Sequence, residues 1–342
     1  MAVGSYNAGA SDSETALEVS ETNGSWATGA AITPPTAVYT PSPNGQLNSV
    51  VCLPNGPCTA IGIYTDSNGF TNAWVVSQQG TVMSGASVVV TGAEVDGSAA
   101  LACSSGDYCT AAGYARSAGT NYPFLLDPPG APTSLSAQIG ITQGQVAWTT
   151  PADTGGLPLT GYSTTANDLT DPSRGGQTQT NGTSGGPVFS SLTPGDSYTF
   201  TVTPMSVLGN GIPATTSSVS VPWTRAQLLA SLSSLLAPHG AASRLKQLSR
   251  THGYSFTWTP LEAGRVTVRW YQFTGRGKHR RKHLIGSGSA TATSVSAVKV
   301  HVALSRLGRR LVKLGHRLHL TAIVTFASGG TSVTRTHAFT LH

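Results

Sequence analysis

Apolar residues never run unbroken for about twenty positions, so the chain offers no helix able to span a bilayer. Its opening residues, Met1 to Ser13, lack a basic start and an apolar core and do not read as a signal peptide. Charge is scarce: Asp, Glu, Lys and Arg make up 10% of the 342 residues, where about a quarter is usual. Acids are scarcest in the last third, where Glu262 stands alone between positions 223 and 342. Catalysis by paired carboxylates needs two acids at one bond with their pKa values pushed apart. Asp66, Asp96, Asp107 and Asp153 instead neighbour Gly, Ser or Thr and read as turn formers. A Ser/His/acid triad fares no better, because all nine His lie after Trp223, beside that single acid, and no Gly-x-Ser-x-Gly elbow lies in that segment to serve them. Nor is there a phosphate-cradling glycine loop: Gly209-Asn210-Gly211 follows a strand but opens no helix. The sequence names no catalytic residue and no cofactor.

What is present points to β structure. Forty Gly and twenty Pro favour turns, Ser and Thr supply the solvation that charges do not, and the length predicts two or three domains. The net charge of +6 hides an opposed distribution. Residues 1–127 carry nine acids and one base, residues 128–222 four acids and one base, and residues 223–342 one acid and eighteen bases. Any polyanion should meet the C-terminal segment first.

The middle of the chain is its most legible part. Pro128-Pro129-Gly130-Ala131-Pro132 breaks any helix and leads into Leu135 and Ile139, and Gln145-Val146-Ala147-Trp148 supplies a second strand with a large apolar anchor. Leu157-Pro158-Leu159-Thr160-Gly161-Tyr162 begins a third, and Phe189, Leu192, Pro194-Gly195 and Tyr198-Thr199-Phe200-Thr201-Val202 follow. Tyr198, Phe200 and Val202 alternate with threonines, which puts the apolar set on one face. In this order the segment 128–223 resembles a fibronectin type III domain. The resemblance implies a β-sandwich in which Trp148, Tyr162, Tyr198, Phe200 and Val202 share the core and the Tyr198 hydroxyl bonds the backbone near Leu192.

Residues 1–127 contain an internal repeat. Val51-Cys52 through Cys58-Thr59-Ala60-Ile61-Gly62 matches Ala102-Cys103 through Cys109-Thr110-Ala111-Ala112-Gly113 at an offset of 51, and Ala2-Val3-Gly4-Ser5-Tyr6 matches Ala60-Ile61-Gly62-Ile63-Tyr64. The first unit reads as beheaded, which leads us to expect further repeats and a signal peptide upstream. Units of this size, built from short strands, are propeller-like or open β repeats. They resemble the Cys-x5-Cys repeats of bacterial surface proteins. Five turn-forming residues inside each pair place the thiols on facing strands and favour the disulfides Cys52–Cys58 and Cys103–Cys109. A four-cysteine zinc site, ordinarily spaced two to four, and free thiols are the alternatives. Disulfides imply an oxidising compartment.

From Thr224, a plausible N-cap, Leu228, Leu229, Leu232, Leu235 and Leu236 form a helical stripe ended by Pro238, and Leu245 and Leu248 mark a second helix stopped by Gly253. Alternation resumes at Val266, Val268 and Trp270, at Val298, Val300 and Val302, and at Leu318, Leu320 and Val324, with Ser328-Gly329-Gly330-Thr331 as a hairpin turn. Leu307, Leu311 and Leu314 are expected to share a helix face opposite Arg306, Arg309, Arg310 and Lys313. The segment 224–342 reads as a basic, Ig-like β module with short helices. His279, His283, His301, His316 and His319 could be imagined around zinc, but their cationic neighbours oppose it, and no metal is expected. The distinctive constellation is Arg276, Lys278, Arg280, Arg281 and Lys282, between Phe273 and Leu284. We read it as an anion-binding finger at a hairpin tip, its side chains packing on nothing and without interleaved aromatics, so that sequence-specific nucleic-acid recognition is not expected.

Taken together, the sequence describes a mainly β, secreted or cell-surface modular protein, not an enzyme, whose partner would be an acidic cell-wall polymer or polysaccharide. The alternatives are an accessory, non-catalytic fragment of a secreted polysaccharide-degrading enzyme and a non-specific DNA or polyanion binder.

Overall fold

The computed structural model describes residues 1–7, 14–32, 45–52, 58–66, 68–79, 82–88, 94–95, 100–104, 109–174, 176–183, 186–238, 240–275 and 279–342. They form two compact units, Met1–Val221 and Pro222–His342, and both are mainly β.

Unit one opens with β1 (Ala2–Asn7), β2 (Glu14–Val19), the ribbon of β3 (Glu21–Thr22) and β4 (Ser25–Trp26), and β5 (Ala30–Ile32); β1, β2 and β5 make an antiparallel sheet. β6 (Gly45–Cys52), β7 (Cys58–Thr65), β8 (Thr71–Gln79) and β9 (Val82–Val88) make a four-stranded meander. β10 (Glu94–Val95), β11 (Ala100–Cys103), β12 (Cys109–Ser117) and β13 (Thr120–Leu126) make a third sheet around β12. Alternation along β7 and β8 explains how these sheets stack. Ala60, Tyr64, Trp74 and Val76 pack with Ala16 and Ile32 of the first sheet. Their neighbours Ile61, Ala73 and Val75 pack with Leu101, Ala111 and Ala115 of the third. The middle sheet is thus apolar on both faces, which antiparallel sheets with one wet face are not.

The rest of unit one is a β-sandwich. Its strands are β14 (Thr133–Ile139), β15 (Gln143–Thr149), β16 (Gly161–Asp168), β17 (Gly176–Asn181), β18 (Val188–Ser190), β19 (Ser197–Ser206) and the short β20 (Gly209–Asn210), β21 (Ala214–Thr215) and β22 (Val219–Ser220). One sheet runs β14-β15-β18; the other runs β17-β16-β19-β20, with β21 and β22 also pairing with β19. Every second residue of β19 points inward, and Tyr198, Phe200 and Val202 join Val146, Tyr162, Phe189 and Leu192 in the core. Trp148 departs from expectation: it is half-buried at the margin of this core, its ring 4.9 Å from that of Tyr162.

At one corner the Tyr198 hydroxyl accepts the Thr193 N–H at 3.1 Å and donates to Asp168 Oδ2 at 3.0 Å. Asp168 also accepts the Thr170 and Asp171 amides, each at 2.9 Å, and lies 3.5 Å from Arg174 Nη1, which reaches Asp196 at 2.6 Å. Burial alone would raise the Asp168 pKa, but the Asp171 amide, the Tyr198 hydroxyl, the Thr170 amide and the Arg174 charge together hold it below the ordinary carboxyl value. The third sheet and the sandwich are also joined inside this unit: Leu157 and Leu208, from sandwich loops, are buried in the core beside the third sheet, and the Cys109 N–H reaches the Leu208 carbonyl at 3.4 Å.

Unit two begins with α1 (Arg225–Ser231), whose Thr224 and Gln227 form a reciprocal capping box, and α2 (Leu245–Thr251). Then come β23 (Gly253–Trp258), β24 (Gly264–Thr274), β25 (Arg281–Ala292), β26 (Val298–Leu304), α3 (Arg306–Lys313), β27 (Leu318–Ser328) and β28 (Thr331–Leu341). All six strands belong to one antiparallel sheet, ordered β23-β26-β25-β24-β27-β28. Where a facing sheet would lie in a sandwich, Leu228, Leu232, Leu235, Leu236, Leu245 and Leu248 join the buried side chains of the strands. Gly329 and Gly330, both at positive φ, close the two-residue turn between β27 and β28.

Two helix details differ from the sequence reading. His252, in the left-handed region at φ 56°, ends α2, and Gly253 already belongs to β23. On α3 the buried residues are Gly308 and Val312, and Leu311 is partly buried against the same core as expected, while Leu307 and Leu314 are 38% and 64% exposed. A Cβ on Gly308 would meet the Ile285 carbonyl at 2.1 Å, so the absence of a side chain there, as well as Leu311 and Val312, sets how this helix meets the sheet.

Candidate functional site

The four cysteines pair locally. Cys52 stands opposite Cys58 across β6 and β7, and Cys103 opposite Cys109 across β11 and β12; the Cα atoms are 3.9 and 4.0 Å apart and the sulfurs 2.00 and 2.06 Å apart. Each bond closes one hairpin, β6 with β7 and β11 with β12.

Several acids have structural occupations. Asp66 accepts the Asn68 and Phe70 amides at 2.9 and 3.0 Å, Asp153 accepts the Gly155 amide at 2.8 Å, and Asp168 anchors the sandwich corner. Three of the histidines considered around zinc bond cross-strand hydroxyls instead: His301 to Ser255 at 2.7 Å, His283 to Thr274 and His319 to Thr340 at 3.0 Å. Among the described residues no three His, Cys, Asp or Glu side chains come together as a metal site, and no helix is long and apolar enough to cross a membrane.

Of the basic finger, Arg276 and Lys278 lie outside the described residues, whereas Arg280, Arg281 and Lys282 stand where β24 turns into β25. These side chains do not pack on nothing. The Arg280 guanidinium lies 4.2 Å from the Phe273 ring centre and the Lys282 ammonium 3.8 Å from that of Tyr271. Tyr271 and Phe273, two apart on β24, share a face, so cations and rings do interleave here, across strands rather than along the sequence. A register shift after Trp270 is responsible. It sets Lys282 opposite Phe273; unbroken pairing from Trp270 and Gly286 would have set it opposite Thr274.

A second basic cluster is more than the polar helix face that the sequence suggests. Arg306, Arg309, Arg310 and Lys313 of α3, with Ser249 and His252 from α2 and its end, line a cleft of about 560 Å³. α3 is fixed there by its cap: Ser305 Oγ accepts the Gly308 N–H at 3.0 Å and donates to the Leu284 carbonyl at 2.7 Å. Arg309 Nη1 donates to the Leu304 carbonyl at 2.9 Å, which holds one guanidinium in place. Among the described residues of unit two, no ion pair neutralises any Lys or Arg. The cations of α3 were visible in the sequence as the polar face of a helix. Their facing wall, more than fifty residues earlier, was not.

No family model matches the sequence, and no curated protein does. Solved structures similar to part of the chain include the FN5 domain of Drosophila Lar, 21% identical over 28% of this chain and 99% of that one, with a TM-score of 0.23. A redesigned β-sandwich protein is 21% identical over 27% of this chain and 90% of its own, with a TM-score of 0.24. A structure described as a myokine is 17% identical over 28% of this chain and 98% of its own, with a TM-score of 0.23. Likenesses of this extent leave function to be argued from the residues.

Proposed function

We propose that this chain is a non-catalytic, secreted or cell-surface modular protein that contacts acidic cell-wall polymer or polysaccharide through unit two. In this reading residues 1–127 are Cys-x5-Cys repeats, 128–223 a fibronectin type III domain, and the two together a β spacer. The observation that carries it is electrostatic: eighteen bases against one acid in residues 223–342, with no ion pair among the described residues of unit two. Unpaired cations around a β unit attract a polyanion by releasing its counterions, and need no enclosed pocket to do so. Acids committed to turns and to the sandwich corner favour a binding role over a hydrolytic one.

The test is binding of the full chain to an acidic polysaccharide, a neutral glucan and duplex DNA over graded salt. Affinity for the acidic glycan should fall linearly with salt on logarithmic axes. Replacing Arg280, Arg281 and Lys282 by Ser should weaken it and flatten the slope. Equal binding of neutral and acidic glycans, unchanged by the triple substitution, overturns the reading. DNA bound as tightly as the glycan would favour general polyanion binding over adhesion.

A further inference from the structure

We propose that the cleft between α2 and α3 is a selective site for tetrahedral oxyanions, the phosphate or sulfate esters of an acidic polymer. This deepens the preceding reading, and rests on it for the polymer but not for the ion. Arg306 and Arg309, Arg306 and Arg310, Arg309 and Lys313, and Arg310 and Lys313 are spaced three or four apart on a helix of eight residues. Like charges at these spacings destabilise a helix. None is relieved by a carboxylate among the described residues, so four positive charges converge on one concavity without internal compensation. The opposite wall adds two groups able to donate and no carboxylate, the Ser249 hydroxyl and the His252 ring. His252 occupies a left-handed position that glycine would fill with less strain, so the imidazole stands in the wall at a conformational cost.

The donor set selects the ligand. One guanidinium fork satisfies a planar carboxylate, whereas three forks and an ammonium around one space suit an oxyanion with more oxygens and more than one charge. The seat of α3 on the sheet and the bond from Arg309 to the Leu304 carbonyl keep the donors in place before a ligand arrives. The finger at Arg280–Lys282 differs: Arg280 and Lys282 lie over rings, which suits a long anionic chain without discriminating its groups.

The experiment is calorimetric titration of the full chain with pyrophosphate, sulfate and citrate at matched ionic strength, repeated with polyphosphate and with heparin to separate phosphate from sulfate sources. Two paired variants are used, Arg306→Ser with Arg310→Ser and Arg306→Lys with Arg310→Lys; Arg309 is left alone because it bonds the backbone. Pyrophosphate should bind more tightly than citrate. The Ser pair should weaken pyrophosphate about tenfold or more, and the Lys pair should keep polymer binding while losing the preference over citrate. The triple finger variant should leave pyrophosphate unchanged. Equal affinity for pyrophosphate and citrate, or a Ser pair that binds pyrophosphate like the parent, overturns the proposal. Polymer binding that persists in that case leaves the broader reading standing; pyrophosphate bound without any polymer binding sinks the broader reading and keeps the cleft.

Discussion

Gly308 and the carbonyl of Ile285 touch so closely that a Cβ on the glycine would stand 2.1 Å from the oxygen. The contact seats α3 on the sheet and so aims Arg306 and Arg310. Gly308→Ala gains helix propensity, about 1 kcal/mol in an exposed interior, but must push the helix off a backbone atom that cannot step aside. A net destabilisation of about 1–3 kcal/mol is expected, with weaker pyrophosphate binding. Urea unfolding and the titration above check both. A variant more stable than the parent would mean that α3 is not seated as described.

Stability should fall in acid through the sandwich corner. Asp168 titrates in the folded chain below its ordinary value of 3.8, so it contributes stability above that value and loses it as pH drops through the folded pKa. Asp168→Asn should flatten this acid limb while costing about 1–3 kcal/mol at neutral pH. Urea midpoints against pH for both proteins are the measurement; parallel acid limbs would assign the effect to other carboxylates.

Phe200 is wholly buried and Trp148 only half. Phe200→Ala should therefore cost about 3–5 kcal/mol, and Trp148→Ala less despite the larger side chain. Denaturant midpoints of the two variants give the order directly, and the reverse order would move Trp148 back into the core.

Cys103→Ser with Cys109→Ser should destabilise unit one by about 2–3 kcal/mol. Residues 222–342 contain no cysteine, so unit two should melt at the same temperature with and without reductant. Calorimetry under both conditions tests this.

How much could be read without coordinates depends on whether the signal was local. Alternation along Tyr198, Phe200 and Val202 announced its own face, and the turn residues between cysteine pairs announced hairpins. The face of α3 is only partly legible: Leu311 packs as its spacing suggests, but the helix is rotated away from Leu307 and Leu314 because a glycine fits best where the opposing surface is a backbone carbonyl. The rings beneath Arg280 and Lys282 were hidden by a one-residue register shift that composition cannot reveal. The cleft was invisible for a different reason: its walls come from segments that only the folded sheet brings together.

The leucines that the sandwich lends to the preceding sheets bear on how such a chain can be rearranged by recombination. A module joined to its neighbour by a slack tether can be duplicated, lost or moved without injury to either side. Here Leu157 and Leu208 complete a core that belongs mostly to residues 61–126, so cutting at 127 would leave two greasy loops on one piece and an open hole in the other. Residues 61–126 and the sandwich that follows therefore have to travel together, whereas a division after Val221 cuts through neither of their cores.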